Sequence, residues 1–391
     1  MDKKTFILGA AAGAVLMLFV ALGLTAFENR MRWGGLPTPN NKVQEIFSKL
    51  ERHSIFPIDR EVMLTYMYRG LLEGVGDPYT QYFDEESLAV FRIRTEGMYG
   101  GIGVMSIMNP ETRALTVTGV FRDTPAYKAG VLAGDKIIAV DGHGMVGRPQ
   151  EEITGKIRGT PGEVVRITFL RPYDERQFEI DIVRELIEVP TVSHEMLPDS
   201  TGLIRIETFD RVTLDQFNEA LDELLEQGMN SLILDVRNNP GGLMSVVVHI
   251  TNHLIPAGII TYTEMADGRR EYHRATGDGL GLPLIVLVNG RSASASEIIS
   301  AAIQESGAGT VLGTQTFGKG IVQNLMYLSD GNAIKMTIAK YYTPLGTSIH
   351  GIGVTPDHVV EMDEDLSRRI GSLDAEEDVQ LQRALGMLRI Q

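Results

Sequence analysis

The chain has no cysteine among its 391 residues. Disulfides, cysteine-ligated zinc and a cysteine nucleophile are therefore excluded. It also lacks a surplus of positive charge: 36 Lys and Arg stand against 51 Asp and Glu, for a net charge of −15. That balance argues against a nucleic-acid binder, which needs a basic face for phosphates. Taken alone, the acidity does no more than favour solubility. Histidine chemistry is thinly supplied too. His249 and His253 stand four apart, but Ile250 follows His249 where a zinc-protease motif has Glu, and no third ligand is evident. No histidine lies in a motif that would complete a Ser-His-Asp triad; His273 and His350 are left without a partner motif. No metal site is expected.

What is present reads as a mixed α/β protein of several domains. Hydrophobic content is 43% and charged content 22%, as in globular chains, and the length suits two or three domains. At the start, Lys3 and Lys4 precede an uncharged run from Phe6 to Phe27, closed by Glu28, Asn29 and Arg30. Such a run is long enough to span a bilayer and longer than the core of a cleaved signal. Residues 1–30 are read as an uncleaved anchor in preference to a cleaved signal. The basic flank places the body outside, in the periplasm or its equivalent. Residues 31–41 are rich in Gly, Pro and Asn and read as a linker. Residues 42–96 carry helical spacing in Val43, Ile46, Phe47 and Leu50, then Met63, Met67, Leu71 and Leu72. This segment, with its Asp77-Pro78-Tyr79-Thr80 turn, is expected to be a helical cap or dimerisation arm without chemistry.

From Gly97 the pattern changes to short strands, with a helix around Pro149 to Ile157, giving a β-rich unit over 97–185. From 186 to 360 strands and helices alternate, which predicts an α/β core with a sheet covered by helices. Ser231 to Val236 and Leu284 to Val288 are apolar throughout and read as buried strands. Leu214 to Leu225, Leu243 to Leu254 and Ala295 to Gln304 read as helices. Residues 361–391 form a tail that folds back or pairs with a partner chain.

Three segments can carry chemistry. In Asn289-Gly290-Arg291-Ser292-Ala293-Ser294-Ala295-Ser296-Glu297, serines fall between a strand and a helix. Such a turn can hold a nucleophile exposed, although serines there also cap helices. Gly313-Thr314-Gln315-Thr316-Phe317-Gly318-Lys319-Gly320 nearly matches a phosphate loop, but Gly320 stands where the magnesium-binding hydroxyl belongs. A partly desolvated lysine in such a loop can serve instead as a general base. Asp235-Val236-Arg237-Asn238-Asn239-Pro240-Gly241-Gly242 follows a strand and can present backbone N–H groups to an oxyanion, or be an ordinary turn. From chemistry alone, the choice among Ser292, Ser294 and Ser296 stays open.

Together these segments resemble the carboxyl-terminal processing peptidases, or tail-specific proteases. Tyr342-Thr343-Pro344-Leu345-Gly346 and Gly353-Val354-Thr355-Pro356-Asp357 add to the resemblance, which runs from about residue 40 to 360. It implies a serine nucleophile at Ser294, a general base at Lys319 and a third member at Gln323, with no cofactor. If the stretch after Lys319 is helical, Lys319 and Gln323 share a face. The oxyanion hole falls to Gly241 or Gly242 together with the Ala295 amide. Residues 97–185 look like the family's inserted PDZ domain, with Tyr99-Gly100-Gly101-Ile102-Gly103-Val104 as its carboxylate-binding loop and Arg158 as a residue that senses the PDZ position. Protein substrates bound by their C-termini, an adaptor or activator protein and a homodimer are the implied partners. Two rival functions are weighed: a non-catalytic PDZ scaffold, against which Ser294, Lys319 and Gln323 speak, and an acyl-transfer or lyase enzyme, which the PDZ-like insertion does not fit.

Overall fold

The computed structural model describes residues 39–389. The run from Phe6 to Phe27 lies outside these residues. Among the described residues no helix is long and apolar enough to cross a membrane. The described residues divide into two compact units, with the boundary between Leu71 and Leu72. In the first unit, helix Pro39–His53 precedes a second helix that begins at Arg60, and Arg60 Nε donates to Glu51 Oε1 at 2.6 Å. Ile55, Phe56, Tyr66 and Leu71 are all largely exposed there.

The second unit is built on a six-stranded sheet. Its order is Val192–Leu197, Thr201–Ile206, Ser231–Asp235, Leu284–Val288, Thr310–Gly313, His358–Val359. The first pair is antiparallel and the remaining pairs are parallel. Every residue of Ser231–Asp235 and Leu284–Val288 is buried, because both are central strands covered on both faces. On one face lie helices Thr213–Glu226, Met244–Leu254 and Ala295–Ser306. The first buries Phe217, Ala220, Leu221 and Leu224 at helical spacing, and Gly228 at φ +86 follows its end. The other face is closed by helix Val379–Leu388, whose Leu381, Ala384 and Leu385 pack on Ile233, Ile285 and Leu287. The C-terminal tail therefore folds back on its own core. Its anchor is ionic. Buried Arg237 makes paired bonds to Asp235 (2.9 and 2.8 Å) and to Asp378 (2.9 and 2.7 Å), the residue that caps that helix.

A second sheet, antiparallel, does not follow from the alternation of strands and helices. It orders Gln81–Phe83, Ala333–Tyr342, Gly258–Met265 and Arg270–Ala275, with Ile321–Tyr327 also paired to Ala333–Tyr342. Gln81–Phe83 comes from the segment expected to be a helical arm. That expectation is corrected: residues 81–83 are a strand of the protease core, set in the chain between helices Arg60–Glu73 and Glu85–Glu96.

Between residues 98 and 188 a separate β-rich unit is inserted. Met98–Gly101 pairs with Glu185–Glu188, so the insertion leaves and re-enters through one two-stranded ribbon. Its own sheet orders Val104–Met108, Leu115–Val120, Lys136–Val140, Val164–Arg171 and Arg176–Val183 around a core that includes Leu115, Ile137, Ile153, Ile167 and Phe169.

Candidate active site

The loops after three neighbouring parallel strands meet at the carboxyl end of the main sheet, where open α/β sheets bind ligands. These are the loops after Ser231–Asp235, Leu284–Val288 and Thr310–Gly313. They carry the Pro240-Gly241-Gly242 turn, Ser294 and Lys319, and all three segments line one cleft of about 520 Å³.

The three serines differ sharply. Ser292 is fully buried, donates to Val236 O at 2.7 Å and accepts from Asn289 N–H. Ser296 is also buried and donates to Asn239 O at 2.9 Å. Ser294 is half-buried in the cleft wall at the N-cap of its helix, and among the described residues its hydroxyl donates no hydrogen bond. It also sits at φ +57, ψ −112 at the start of helix Ala295–Ser306. That backbone region is costly for any residue but glycine, and strain of this kind concentrates at functional sites.

What holds this elbow against the lysine loop is Glu297, for which the sequence pattern offers no role beyond closing the serine motif. Its fully buried carboxylate accepts from Ser294 N–H (2.8 Å), Lys319 N–H (2.8 Å), Gly318 N–H (2.7 Å) and the Thr316 hydroxyl (2.6 Å). On the other side, the buried Tyr341 hydroxyl reaches the carbonyls of both Ser294 and Lys319. Burial and then the Glu297 charge push this phenol well above its ordinary value, so it stays a donor. One carboxylate and one phenol thus grip the two peptides that bear Ser294 and Lys319.

Lys319 is half-buried. Burial and then the charge of Lys335 push its amine below the ordinary value, while Asp77 and Glu297 pull it up. Its Nζ lies 4.8 Å from the centroid of the Tyr79 ring. Among the described residues it makes no hydrogen bond to Ser294. The Asp77–Thr80 turn, expected to carry no chemistry, is therefore part of this site. Its Asp77 carboxylate accepts from the Thr80 hydroxyl (2.6 Å) and Tyr79 N–H (3.0 Å), and these bonds keep it below the usual range although burial raises it. Lys335 was also missed; it is one of several half-buried positions on a long strand and carries no local signature.

Gln323 lines the same cleft, but the helical geometry considered for it is not found. Ile321–Tyr327 is a strand with a bulge between Val322 and Gln323, so no helix face is shared with Lys319. Its Nε2 is buried without a partner among the described residues.

The two candidate glycines are distinguishable. Gly241 N–H donates to Asn239 Oδ1 at 2.8 Å. Gly242 N–H and Ala295 N–H have no partner among the described residues. Gly241 has a separate reason to be glycine. Its φ is +103, and a Cβ there would lie 2.7 Å from Ser294 Cβ and 2.9 Å from Ala295 N.

In the inserted unit, Tyr99 to Gly101 belong to the connecting ribbon, Ile102 is buried and Gly103 takes φ +83 against Thr124. The Ile102 and Gly103 N–H groups have no backbone partner among the described residues. Val104 opens a strand that lies at the edge of its sheet. Free amides beside an open strand edge are the arrangement that captures a chain terminus. Arg158 stacks over the Tyr99 ring at 4.9 Å, within this unit.

A serine at a strained strand-to-helix elbow, a half-buried lysine and an inserted peptide-binding unit define a serine peptidase with a PDZ domain. Residues 200–360 match the model of Peptidase family S41, and residues 116–171 that of the PDZ domain. The chain is 36% identical over 327 residues to a carboxy-terminal-processing protease of Bartonella bacilliformis, covering 81% of this chain and 74% of that one. It is 35% identical over 323 residues to a carboxyl-terminal-processing protease of Synechocystis, covering 81% and 75%. A solved S41 protease of Bacteroides fragilis shares the fold at 15% identity, with a TM-score of 0.52 over 87% of this chain and 93% of that one. The chain belongs to the carboxyl-terminal processing proteases of peptidase family S41.

Proposed function

We propose that this chain is an envelope-facing endopeptidase that takes hold of protein C-termini through its PDZ domain and cleaves with Ser294 as nucleophile and Lys319 as general base. The observation that carries this reading is the contrast among the serines. Of the three, only Ser294 donates its hydroxyl to no protein acceptor among the described residues, in the cleft that also holds Lys319 and two unengaged amides.

The neutral Lys319 amine takes the Ser294 proton as Oγ attacks a peptide carbonyl. The carbonyl electrons move onto oxygen, where the N–H groups of Gly242 and Ala295 receive them; Gly241 N–H is already committed to Asn239. Collapse expels the amine, which takes the proton from Lys319, and an acyl-enzyme remains. Water, deprotonated by Lys319, then releases the acid and restores the serine. Gln323, with its unpaired Nε2, is placed to orient the lysine once its ammonium leaves Tyr79. No metal or organic cofactor enters these steps.

The resting contact of Lys319 with Tyr79 supports a site completed by movement, with PDZ occupancy or an adaptor as the trigger and Arg158 as a regulatory contact. The exposed apolar residues Ile55, Phe56, Tyr66 and Leu71 suit a homodimer contact. Residues 6–27 supply the anchor in the inner membrane. The test is cleavage of an unstructured protein with an apolar C-terminus, with a free-carboxylate peptide added to occupy the PDZ domain. Wild type should cleave, Ser294→Ala and Lys319→Ala should not, and amidating the substrate terminus should slow wild type. Undiminished cleavage by either variant refutes the dyad, and equal rates on both substrates refute tail recognition.

A further inference from the structure

The Ser294 cleft holds a second lysine that the mechanism above does not use. Lys335 lies on Ala333–Tyr342, the strand that pairs on one side with the Gln323 strand and on the other with the strand that follows the Asp77–Thr80 turn. Its register partners are Leu325 and Gln81. Its ammonium is set 5.6 Å from the centroid of Phe83 and 5.4 Å from that of Phe91. Among the described residues it has neither an ion pair nor a hydrogen bond. Aromatic faces compensate a desolvated cation only in part, so an unneutralised ammonium kept half-buried in an enzyme cleft is an expensive feature.

We propose that Lys335 is a positioning residue for this peptidase: its fixed, unpaired ammonium disfavours a second ammonium at Lys319 and so keeps the general base unprotonated, with Asp77 as the counterweight. The inference rests on Lys319 being that base. A general base must be neutral to accept a proton, and a like charge nearby favours the neutral amine. The cleft's own geometry makes Lys335 suited to the task. Its ammonium rests against the adjoining rings of Phe83 and Phe91 and its backbone is held by strand pairing on both sides, whereas a flexible surface lysine would swing away. Three other groups around Lys319 act in the opposite sense. The Asp77 charge favours the ammonium form of both lysines, the Glu297 carboxylate accepts from the Lys319 N–H, and the Tyr79 ring face favours the charged form. The Tyr341 phenol is neutral and bonded to main-chain oxygens. Arg94 and Asp210 line the same cleft. Burial gives Lys335 a lowered affinity for its own proton as well, so its effect is greatest at pH values where it is still charged.

The experiment is the pH dependence of kcat/KM for cleavage of an unstructured protein by the full chain, with Ser294→Ala as the blank. In Lys335→Met the acidic limb should move to higher pH. At a fixed pH below the limb the loss is about tenfold for each unit moved, and activity should recover at alkaline pH. Lys335→Arg should restore the wild-type limb, and Asp77→Asn should move it to lower pH. A second measurement needs no turnover. In the Ser294→Ala background, the pH dependence of Lys319 acylation by acetic anhydride, read by peptide mass spectrometry, follows the neutral amine directly. Its midpoint should rise with Lys335→Met and fall with Asp77→Asn. A Lys335→Met enzyme slowed equally at every pH, with an unmoved labelling midpoint, overturns the proposal. So does a rise in KM alone, which would make Lys335 a receptor for a substrate carboxylate. If wild type and Ser294→Ala cleave alike, it is the catalytic reading that fails, and the labelling midpoint still decides the effect of Lys335.

Discussion

Replacing Glu297 with Gln keeps the size of the side chain and removes its charge, which isolates what the carboxylate contributes. Its two oxygens accept four hydrogen bonds, two each. Oε2 takes Ser294 N–H and Lys319 N–H, and Oε1 takes Gly318 N–H and the Thr316 hydroxyl. An amide has one oxygen and one NH2 group, so two of the four donors must face an NH2. With NH2 in the Oε2 place, the Ser294 and Lys319 peptides lose their shared acceptor together. With NH2 in the Oε1 place, Thr316 can turn to accept, although it already accepts from Val354 N–H at 2.6 Å, and Gly318 N–H is orphaned. A buried unsatisfied donor costs about 1–3 kcal/mol, and replacing charged acceptors with a neutral one adds about 1 kcal/mol for each strong bond weakened. The variant should therefore lose about 2–5 kcal/mol of stability in chemical denaturation. Its cleavage rate should fall further than stability alone explains. A displacement of about 1 Å between reacting groups costs on the order of 100-fold, and the loss should appear in kcat more than in KM. Equilibrium denaturation together with steady-state cleavage of an unfolded protein measures both. Wild-type stability and kcat in Glu297→Gln would refute the claim that this carboxylate holds the two loops in register.

Two further outcomes follow from buried charges. Burial pushes the Asp210 carboxyl up to about 6, from 3.8 in the unfolded chain, against the pull of the Thr208 hydroxyl. The folded state therefore binds this proton more tightly, and stability falls as pH rises from about 4 to about 6. Asp210→Asn should be more stable than wild type above pH 6, by at most about 3 kcal/mol, and should gain nothing below pH 4. Thermal unfolding across that range checks it, and a gain independent of pH would count against the assignment. Asp378→Asn breaks the paired bond to fully buried Arg237 and should cost about 3–5 kcal/mol, since it leaves an under-compensated buried charge. The helix Val379–Leu388 should become an early site of limited proteolysis, and wild-type resistance would show that its apolar packing suffices.

Several elements were legible because their signal is local. An apolar run such as Leu284–Val288 has to be buried on both faces, and the structure makes it a central parallel strand. The spacing of Phe217, Leu221 and Leu224 gives an amphipathic helix wherever it lands. The serine turn and the glycine-rich lysine loop announced chemistry, and the motifs taken together led to the right peptidase family, to which the matched relatives also belong. Gln323 shows the limit of such reasoning. A separation of four suggested a helix face, but pairing with Ala333–Tyr342 made the segment a bulged strand, and pairing depends on residues far along the chain.

The serine and lysine motifs, the family and the apolar strands were therefore determined by the sequence itself, because each depends on residue type and short-range spacing. Tertiary structure alone decided which serine hydroxyl is left without a carbonyl to donate to, since Ser292 and Ser296 find carbonyl partners only once the strand-231 loop packs beside them. It alone committed the Gly241 N–H to Asn239 and left the Gly242 N–H without a partner among the described residues. It also brought Asp77, Tyr79 and Lys335 to Lys319 through the pairing of Gln81–Phe83 with Ala333–Tyr342. Hydrogen-bond satisfaction and electrostatic proximity are properties of points in space, and no spacing along a chain specifies them until distant strands have found their register.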